Sequence, residues 1–186
     1  MKLIIAITGA SGSIYGIHLL KFFKSRQDIE THLIISKTAE SVILYETDYE
    51  NIEQVKILAD YCYHDDDMTA PISSGSFLTD GMIVAPCSAK TLSAVANSYS
   101  ENLIARACDV SLKERRRLVL LFRETPLTLS HIENMKKVTR MGGIILPPIP
   151  GFYYKPQTID DLINHIMGKV LDLLGIEHNL FKRWKI

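Results

Sequence analysis

The chain is poor in cysteine, and the few it has show no pattern. Cys62, Cys87 and Cys108 have no CxxC spacing and leave an odd one over, which excludes a disulfide framework and predicts a reduced, cytoplasmic protein. Neither sign of charge is in excess: Lys+Arg 21 and Asp+Glu 21 give a formal net charge of +0. A protein that coats nucleic acid or an anionic membrane needs a broad surplus of Lys and Arg, so both partners are excluded. No apolar run approaches the roughly 20 residues of a membrane helix. The opening Met-Lys-Leu-Ile-Ile-Ala-Ile is too short for a signal sequence and reads as a strand. The histidines, His18, His32, His64, His131, His165 and His178, form no HxH or HExxH pattern, so solvated or capped side chains and no metal site are predicted.

What is present is an ordinary globular composition, 47% apolar and 23% charged over 186 residues. That is enough chain for a single domain, residues 1–186, with a substantial core. The neutrality is an average over unequal parts. Glu40–Asp67 carries nine acidic residues against one basic, Lys56, whereas Arg106–Arg117 carries five basic against two acidic. A local basic cluster in a neutral chain suits a small anionic ligand better than a polyanion.

Short apolar runs alternate with longer amphipathic ones. Leu3–Ile7, His32–Ile35, Met82–Ala85, Leu118–Phe122 and Ile144–Leu146 read as strands buried on both faces. Ile14–Lys24, Thr38–Glu46, Ala89–Ala96, Leu103–Val110 and Leu129–Thr139 read as helices, with a last helix after Pro156. Such alternation predicts an α/β fold, a doubly wound, mainly parallel sheet flanked by helices in the Rossmann-like manner. Thr69–Thr79 and Leu146–Pro156 are loops by composition, and the second follows a strand end, where open α/β sheets place ligands.

Thr8-Gly9-Ala10-Ser11-Gly12-Ser13 follows the first strand and opens the first helix, a place where backbone N–H groups can hold a phosphate. Ser11 occupies the middle glycine position of a GxGxxG pattern, and Ser36-Lys37 stands where a dinucleotide reader needs a ribose-binding acid. No Tyr-xxx-Lys pair exists to protonate a carbonyl. A mononucleotide therefore fits better than NAD or NADP.

Further segments accompany that turn. They are Ser36-Lys37, Glu46-Thr47-Asp48, Ser73-Ser74-Gly75-Ser76-Phe77, Ala85-Pro86-Cys87-Ser88-Ala89-Lys90-Thr91, Leu112-Lys113-Glu114-Arg115-Arg116, Arg123-Glu124-Thr125-Pro126 and Pro147-Pro148-Ile149-Pro150-Gly151-Phe152-Tyr153. In this order, over nearly the whole chain, they resemble the UbiX/Pad-type flavin prenyltransferase family. The resemblance implies a metal-independent FMN flavoprotein. Its reaction joins the dimethylallyl group of dimethylallyl monophosphate to N5 and C6 of reduced FMN. The prenylated FMN serves a UbiD-type decarboxylase, and the enzyme is a homo-oligomer, a dodecamer.

Carried over by position, the resemblance gives FMN to Gly9, Ala10, Ser11, Ser36, Ser88, Ala89, Lys90, Thr91 and Arg123. It gives the prenyl phosphate to Lys113, Arg123, Tyr153 and Lys169, with Arg106 and Trp184 as further candidates. The chemistry agrees, since Arg forks and Lys point charges stabilise charge growing on a departing phosphate. Where relatives carry Arg, Lys169 loses the fork. Glu46 is the candidate base near the flavin and Glu124 the candidate acid for the leaving phosphate, with Ser11 handing protons on. An ion pair with Arg123 is the alternative role for Glu124. Tyr153, Tyr154 and Trp184 supply aromatic faces for an allyl cation, and Trp184 lies in a segment that resembles a C-terminal lid. Cys87 reads as a packed residue, and Arg115, Arg116 and Arg117 as solvated or intersubunit charges.

Two rival readings stand beside this one. An FMN-dependent cysteine decarboxylase carries a Pro-Ala-Ser-Ala-Asn-Thr pattern, against which Lys90 departs. A non-catalytic FMN-carrying subunit of a decarboxylase leaves two adjacent anion sites with carboxylates unexplained.

Overall fold

The computed structural model describes residues 1–185 of the chain. Its elements run β1 (Lys2–Ile7), α1 (Ser13–Lys24), β2 (Glu30–Ile35), α2 (Lys37–Glu46), α3 (Glu53–Lys56), β3 (Tyr61–His64), β4 (Gly81–Cys87), α4 (Ala89–Ala96), α5 (Leu103–Lys113), β5 (Arg117–Phe122), α6 (Leu129–Arg140), β6 (Ile144–Ile145) and α7 (Ile159–Leu174). The strands form one parallel sheet in the order β3-β2-β1-β4-β5-β6. The chain winds outward from β1 to one edge, then restarts at β4 and winds to the other. The carboxyl ends of β1 and β4 therefore splay loops apart, which makes the crevice that binds ligands in doubly wound sheets.

Side chains alternate across each strand, and both faces are apolar. Leu3, Ile5 and Ile7 of β1 pack with Ile17 and Leu20 of α1 and with Ile166 and Val170 of α7. Ile4 and Ala6 point to the other face, with Leu92 of α4 and Leu103 and Ala107 of α5. Each fully buried Ile or Leu contributes about 1.5–3 kcal/mol, so the central strands anchor the loops at their ends. Every residue of β4 is buried.

The structure adds β3 and α3 to the elements expected from sequence. β3 is an edge strand with exposed Tyr61, Cys62 and His64, so it lacks the continuous apolar run that marks a strand buried on both faces. The histidines are a correction. His32 and His165 are 2% and 7% exposed rather than solvated. His32 is held by Tyr63 Oη at 2.9 Å and Glu30 Oε1 at 2.9 Å. His131 does serve in a capping box with Thr128. Among the described residues, no helix is long and apolar enough to cross a membrane.

Candidate functional site

A cleft of about 490 Å³ lies at the carboxyl end of the sheet, lined from five strand ends. Thr8, Gly9, Ala10 and Ser11 come from the end of β1, Ser36, Lys37 and Thr38 from β2, and Asp65 from β3. Ser88, Ala89, Lys90 and Thr91 follow β4, Asn102 and Ala105 open α5, and Arg123 and Glu124 follow β5. The Thr8 hydroxyl ties the crevice together. It donates to the Pro86 carbonyl at 2.7 Å and accepts the Ser88 N–H at 2.8 Å. Gly9 is needed for close approach, because a Cβ there would stand 2.6 Å from Thr38 Cγ2.

Four helix starts border this cleft, and each starts with backbone N–H groups that lack helical partners. At α2 the Ser36 hydroxyl accepts the Ala39 N–H at 3.2 Å, and at α4 the Ser88 hydroxyl accepts the Thr91 N–H at 3.3 Å. In both helices the cap takes a single backbone donor and leaves the first residues, Lys37-Thr38 and Ala89-Lys90, lining the cleft. The other two starts are closed. At α5, Asp65 accepts the Leu103 N–H through its carbonyl at 2.7 Å and the Ile104 N–H through Oδ1 at 3.3 Å. Asn102 donates to Asp65 Oδ2 at 2.9 Å and accepts the Ala105 N–H at 2.9 Å.

At α1, Gly12 stands at φ 101 with no side-chain cap of its own. Glu46 reaches back from the end of α2 to supply one. Its carboxylate accepts the Gly12 N–H at 2.9 Å, the Ser13 N–H at 3.1 Å and the Ser13 hydroxyl at 3.0 Å. Burial pushes the Glu46 carboxyl up, but hydrogen bonds from Ser11, Gly12 and Ser13 outweigh it and hold the group below the usual carboxylate range. This corrects the expectation that the first glycine turn offers its helix-start N–H groups to a phosphate. Gly9, Ala10 and Ser11 line the cleft, but the Gly12 and Ser13 donors already hold an anion.

Arg123 is exposed at the rim, and its backbone N–H donates to the Cys87 carbonyl at 3.1 Å. Among the described residues its guanidinium forms no ion pair. The Arg123–Glu124 pair weighed as an alternative is therefore not formed, and Glu124 Oε1 instead accepts the Thr125 N–H at 3.1 Å. Lys90 leans across the rim to Glu101 at 2.9 Å. Cys87 is fully buried and burial pushes its thiol well up, which fits a packed residue and not a nucleophile.

The remaining expected residues lie elsewhere on the chain. α5 borders the cleft with its first turn, and Lys113 ends it, about 15 Å further along at 1.5 Å per residue. There Lys113 pairs with its neighbour Glu114. Arg106 donates to the Ser73 carbonyl at 3.0 Å and pairs with Asp109 at 3.2 Å. Tyr153 and Trp184 do meet each other beside α7, the helix that carries Lys169. Tyr153 Oη is 3.2 Å from His165 Nε2, one turn before Lys169, and Trp184 packs edge-on against the Tyr153 ring at 5.4 Å. The tail that carries Trp184 folds on its own α7, where Arg183 grips Asp172 at 2.6 and 3.1 Å. A second cavity of about 470 Å³ opens here between Tyr153, Tyr154, Trp184 and the basic residues Lys155, Lys182, Arg183 and Lys185.

Sequence reasoning missed Thr8, Thr38, Asp65, Glu101, Asn102 and Ala105 as lining residues. Asp65 was findable: Tyr61–His64 read as a strand would have put its next residue at the crevice.

A cleft of this volume with two open helix starts, hydroxyl caps and one rim guanidinium suits a phosphorylated mononucleotide. Fold and site thus define an α/β mononucleotide-binding flavoprotein, and the Flavoprotein family model matches residues 1–171. The flavin prenyltransferase UbiX of Methanocaldococcus jannaschii is 50% identical over 184 residues, 99% of this chain and 98% of that protein. The chain belongs to the UbiX flavin prenyltransferase family. Two solved structures agree. A dodecameric FMN-dependent UbiX-like decarboxylase from Escherichia coli O157:H7 has a TM-score of 0.97 at 48% identity, covering 100% of both chains. A UbiX protein (PadA1) in complex with FMN and dimethylallyl pyrophosphate has a TM-score of 0.96 at 50% identity, covering 99% of this chain and 97% of that one.

Proposed function

We propose that the protein is a flavin prenyltransferase acting on FMN and dimethylallyl monophosphate. In the overall reaction the C–O bond of the prenyl phosphate breaks and phosphate departs, while N5 and C6 of reduced FMN each lose a proton and bond to the five-carbon unit, whose C=C bond is consumed. One proton ends on the former alkene carbon and the other on the phosphate. The product, prenylated FMN, is a cofactor for a UbiD-type decarboxylase. The observation that carries this reading is the full-length similarity, near half of all residues, to relatives of that activity. Bound in the cleft, reduced FMN supplies the nucleophilic ring system.

The protein's own groups divide the remaining work. The open starts of α2 and α4, with Ser36, Ser88, Ala89, Lys90 and Thr91, hold the FMN phosphate and polar chain, and Arg123 neutralises phosphate charge at the rim. Gly9, Ala10 and Ser11 form the wall beside them. Glu124 protonates the leaving phosphate. Glu46, kept ionised by its donors, accepts a proton through Ser11, and the same donors weaken it as a base. Tyr153 and Lys169 bind the prenyl phosphate, with Trp184 as an aromatic wall. Lys113, at the far end of α5, and Arg106, near its start, serve a neighbouring subunit of a homo-dodecamer. The protein works as one domain over residues 1–186, in the cytoplasm, without metal.

The test is direct. The protein is incubated with reduced FMN and dimethylallyl monophosphate, denatured, and its flavin weighed by mass spectrometry. The flavin should gain one five-carbon unit. An unchanged flavin mass refutes prenyl transfer, and carbon dioxide release from a cysteine substrate would support the rival decarboxylase.

A further inference from the structure

His165 has one nitrogen in use and one without any partner. Its ring is 7% exposed, stacked on Tyr154 at 5.0 Å and 17° and closed at its edges by Phe181 at 4.9 Å and Tyr153 at 5.6 Å. Nε2 lies 3.2 Å from the Tyr153 hydroxyl. Nδ1 is buried with no hydrogen-bond partner, alone in this among the described side chains. A buried polar atom left over in this way calls for a reason.

We infer that His165 is a positioning residue for the prenyl phosphate: its Nε2–H donates to the Tyr153 hydroxyl oxygen, so that the phenol hydrogen is free for a phosphate oxygen. The inference rests on the reading of Tyr153 and Lys169 as ligands of the prenyl phosphate.

The choice of tautomer follows from the empty Nδ1. Burial, and then the Lys169 charge one turn along α7, push the imidazole pKa down, so the ring is neutral and carries one proton. A proton on Nδ1 would be a buried donor with nothing to donate to. The phenol hydrogen would then be spent on Nε2, leaving Tyr153 nothing to offer an anion. A proton on Nε2 leaves a bare lone pair at Nδ1, the more tolerable defect, since orphaned buried N–H groups are rarer than under-used acceptors. The hydrogen bonds then all point one way, from imidazole to phenol to phosphate. Each strengthens the next in a low-dielectric setting.

The surroundings suit an anion at the end of that chain. Tyr153 is 43% exposed and shares its cavity with Lys155, Lys182 and Arg183. Lys169 is four residues beyond His165, on the same helix face. Asp172, three residues beyond Lys169, pairs with Arg183, His178 and Lys169, so its charge is already met. The imidazole adds no charge of its own. It sets the direction of a donor among groups that supply the charge.

Three substitutions separate direction from packing. Gln places its amide nitrogen near Nε2, Asn places its amide near Nδ1, and Phe keeps ring volume without a donor. Dissociation constants for dimethylallyl monophosphate and for FMN are measured by calorimetry on the purified assembly. His165→Gln should stay within about threefold of the parent, while His165→Asn and His165→Phe should bind the prenyl phosphate about tenfold more weakly. FMN affinity should be the same in all. Tyr153→Phe should match the weak variants, and adding His165→Phe to it should cost nothing more. Equal affinities for the Gln and Asn variants overturn the inference, as does an FMN affinity that falls in step. A parent that binds dimethylallyl monophosphate with this ordering yet leaves the flavin mass unchanged refutes the transferase reading and upholds His165. A parent that does not bind it refutes both.

Discussion

Glu46 has a structural role that separates cleanly from its proposed chemical one. Gly12 supplies no side-chain cap, so the start of α1 depends on a carboxylate from another helix, through two backbone N–H groups and one hydroxyl. Losing a helix cap costs about 0.5–2 kcal/mol, and removing a charge from the helix dipole about 0.3–1 kcal/mol where the site is exposed. Glu46 lies largely exposed, so Glu46→Ala should cost about 1–2 kcal/mol in total, or a few degrees in Tm at this chain length. Glu46→Gln keeps an acceptor oxygen and should lose roughly half of that. The pH dependence has a definite sign. The folded-state pKa of Glu46 lies below its unfolded value, so its contribution is present above the unfolded pKa, about 4.3, and fades as pH falls through the folded one. Thermal unfolding of the parent and Glu46→Gln should therefore differ at pH 7 and converge in acid. Amide exchange should also accelerate at Gly12 and Ser13 at neutral pH. A difference in stability that persists undiminished well below the carboxylate range refutes the cap, and so does no difference at pH 7.

Three further substitutions, at two positions, test the scaffold around the cleft. Thr8→Val keeps shape but strips both hydrogen bonds from a side chain that is 1% exposed. It should cost about 1–3 kcal/mol in urea unfolding and weaken FMN binding, and parent-like stability would refute the latch. Asp65 is raised by burial, so the folded state resists its ionisation and its charge lowers stability above the unfolded pKa, a penalty absent in stronger acid. Asp65→Asn keeps an acceptor for Ile104 but sets its amide N–H against the Asn102 donor, so the relief of the buried charge is partly offset and the variant should stay close to the parent at pH 7. Asp65→Ala, which opens the start of α5, should lose about 1 kcal/mol, and the reverse ranking in urea would refute this account.

The fold was legible wherever a strand is buried on both faces. Met82–Ala85 and Leu118–Phe122 announce themselves as apolar runs within β4 and β5, while the caps Ser36, Ser88 and Thr158 emerge only in the structure. Tyr61–His64 was not legible, because an edge strand that pairs on one side with exposed side chains has neither a run nor a clean alternation. The loop residues after each strand were readable as a site, since small and hydroxyl-bearing types recur at those strand ends. The role of Glu46 was not readable. Thirty-three residues of chain separate it from Ser13, and no local pattern ties a helix end to another helix's start. The same holds for His165, whose helical spacing places it on a buried face without saying what its nitrogens meet.

The basic stretch Arg106–Arg117 shows why charge in the sequence pointed near a ligand without marking its site. Arg116 donates to the Gly75 and Phe77 carbonyls at 2.6 and 2.8 Å, Arg106 to that of Ser73, and Arg117 to that of Leu173 at 2.7 Å. Arg106 and Arg116 satisfy carbonyls of the Ser73–Phe77 segment and fix it against α5, while Arg117 satisfies a carbonyl in the last turn of α7. Arg106 and Arg116 are structural clamps, where a solvated or intersubunit charge was expected for Arg116, whereas Arg117 is exposed as expected. The cleft at the carboxyl end of the sheet instead presents N–H groups at the starts of α2 and α4, which carry no formal charge and no compositional signature. Glu46 and Asp65 complete the selection by occupying the two neighbouring starts. A phosphate approaching α1 or α5 would meet a carboxylate already holding the donors, whereas at α2 and α4 it meets only a hydroxyl. The acidic half of the chain thus directs an anion as much as the basic half does, by leaving it two places where the field is open.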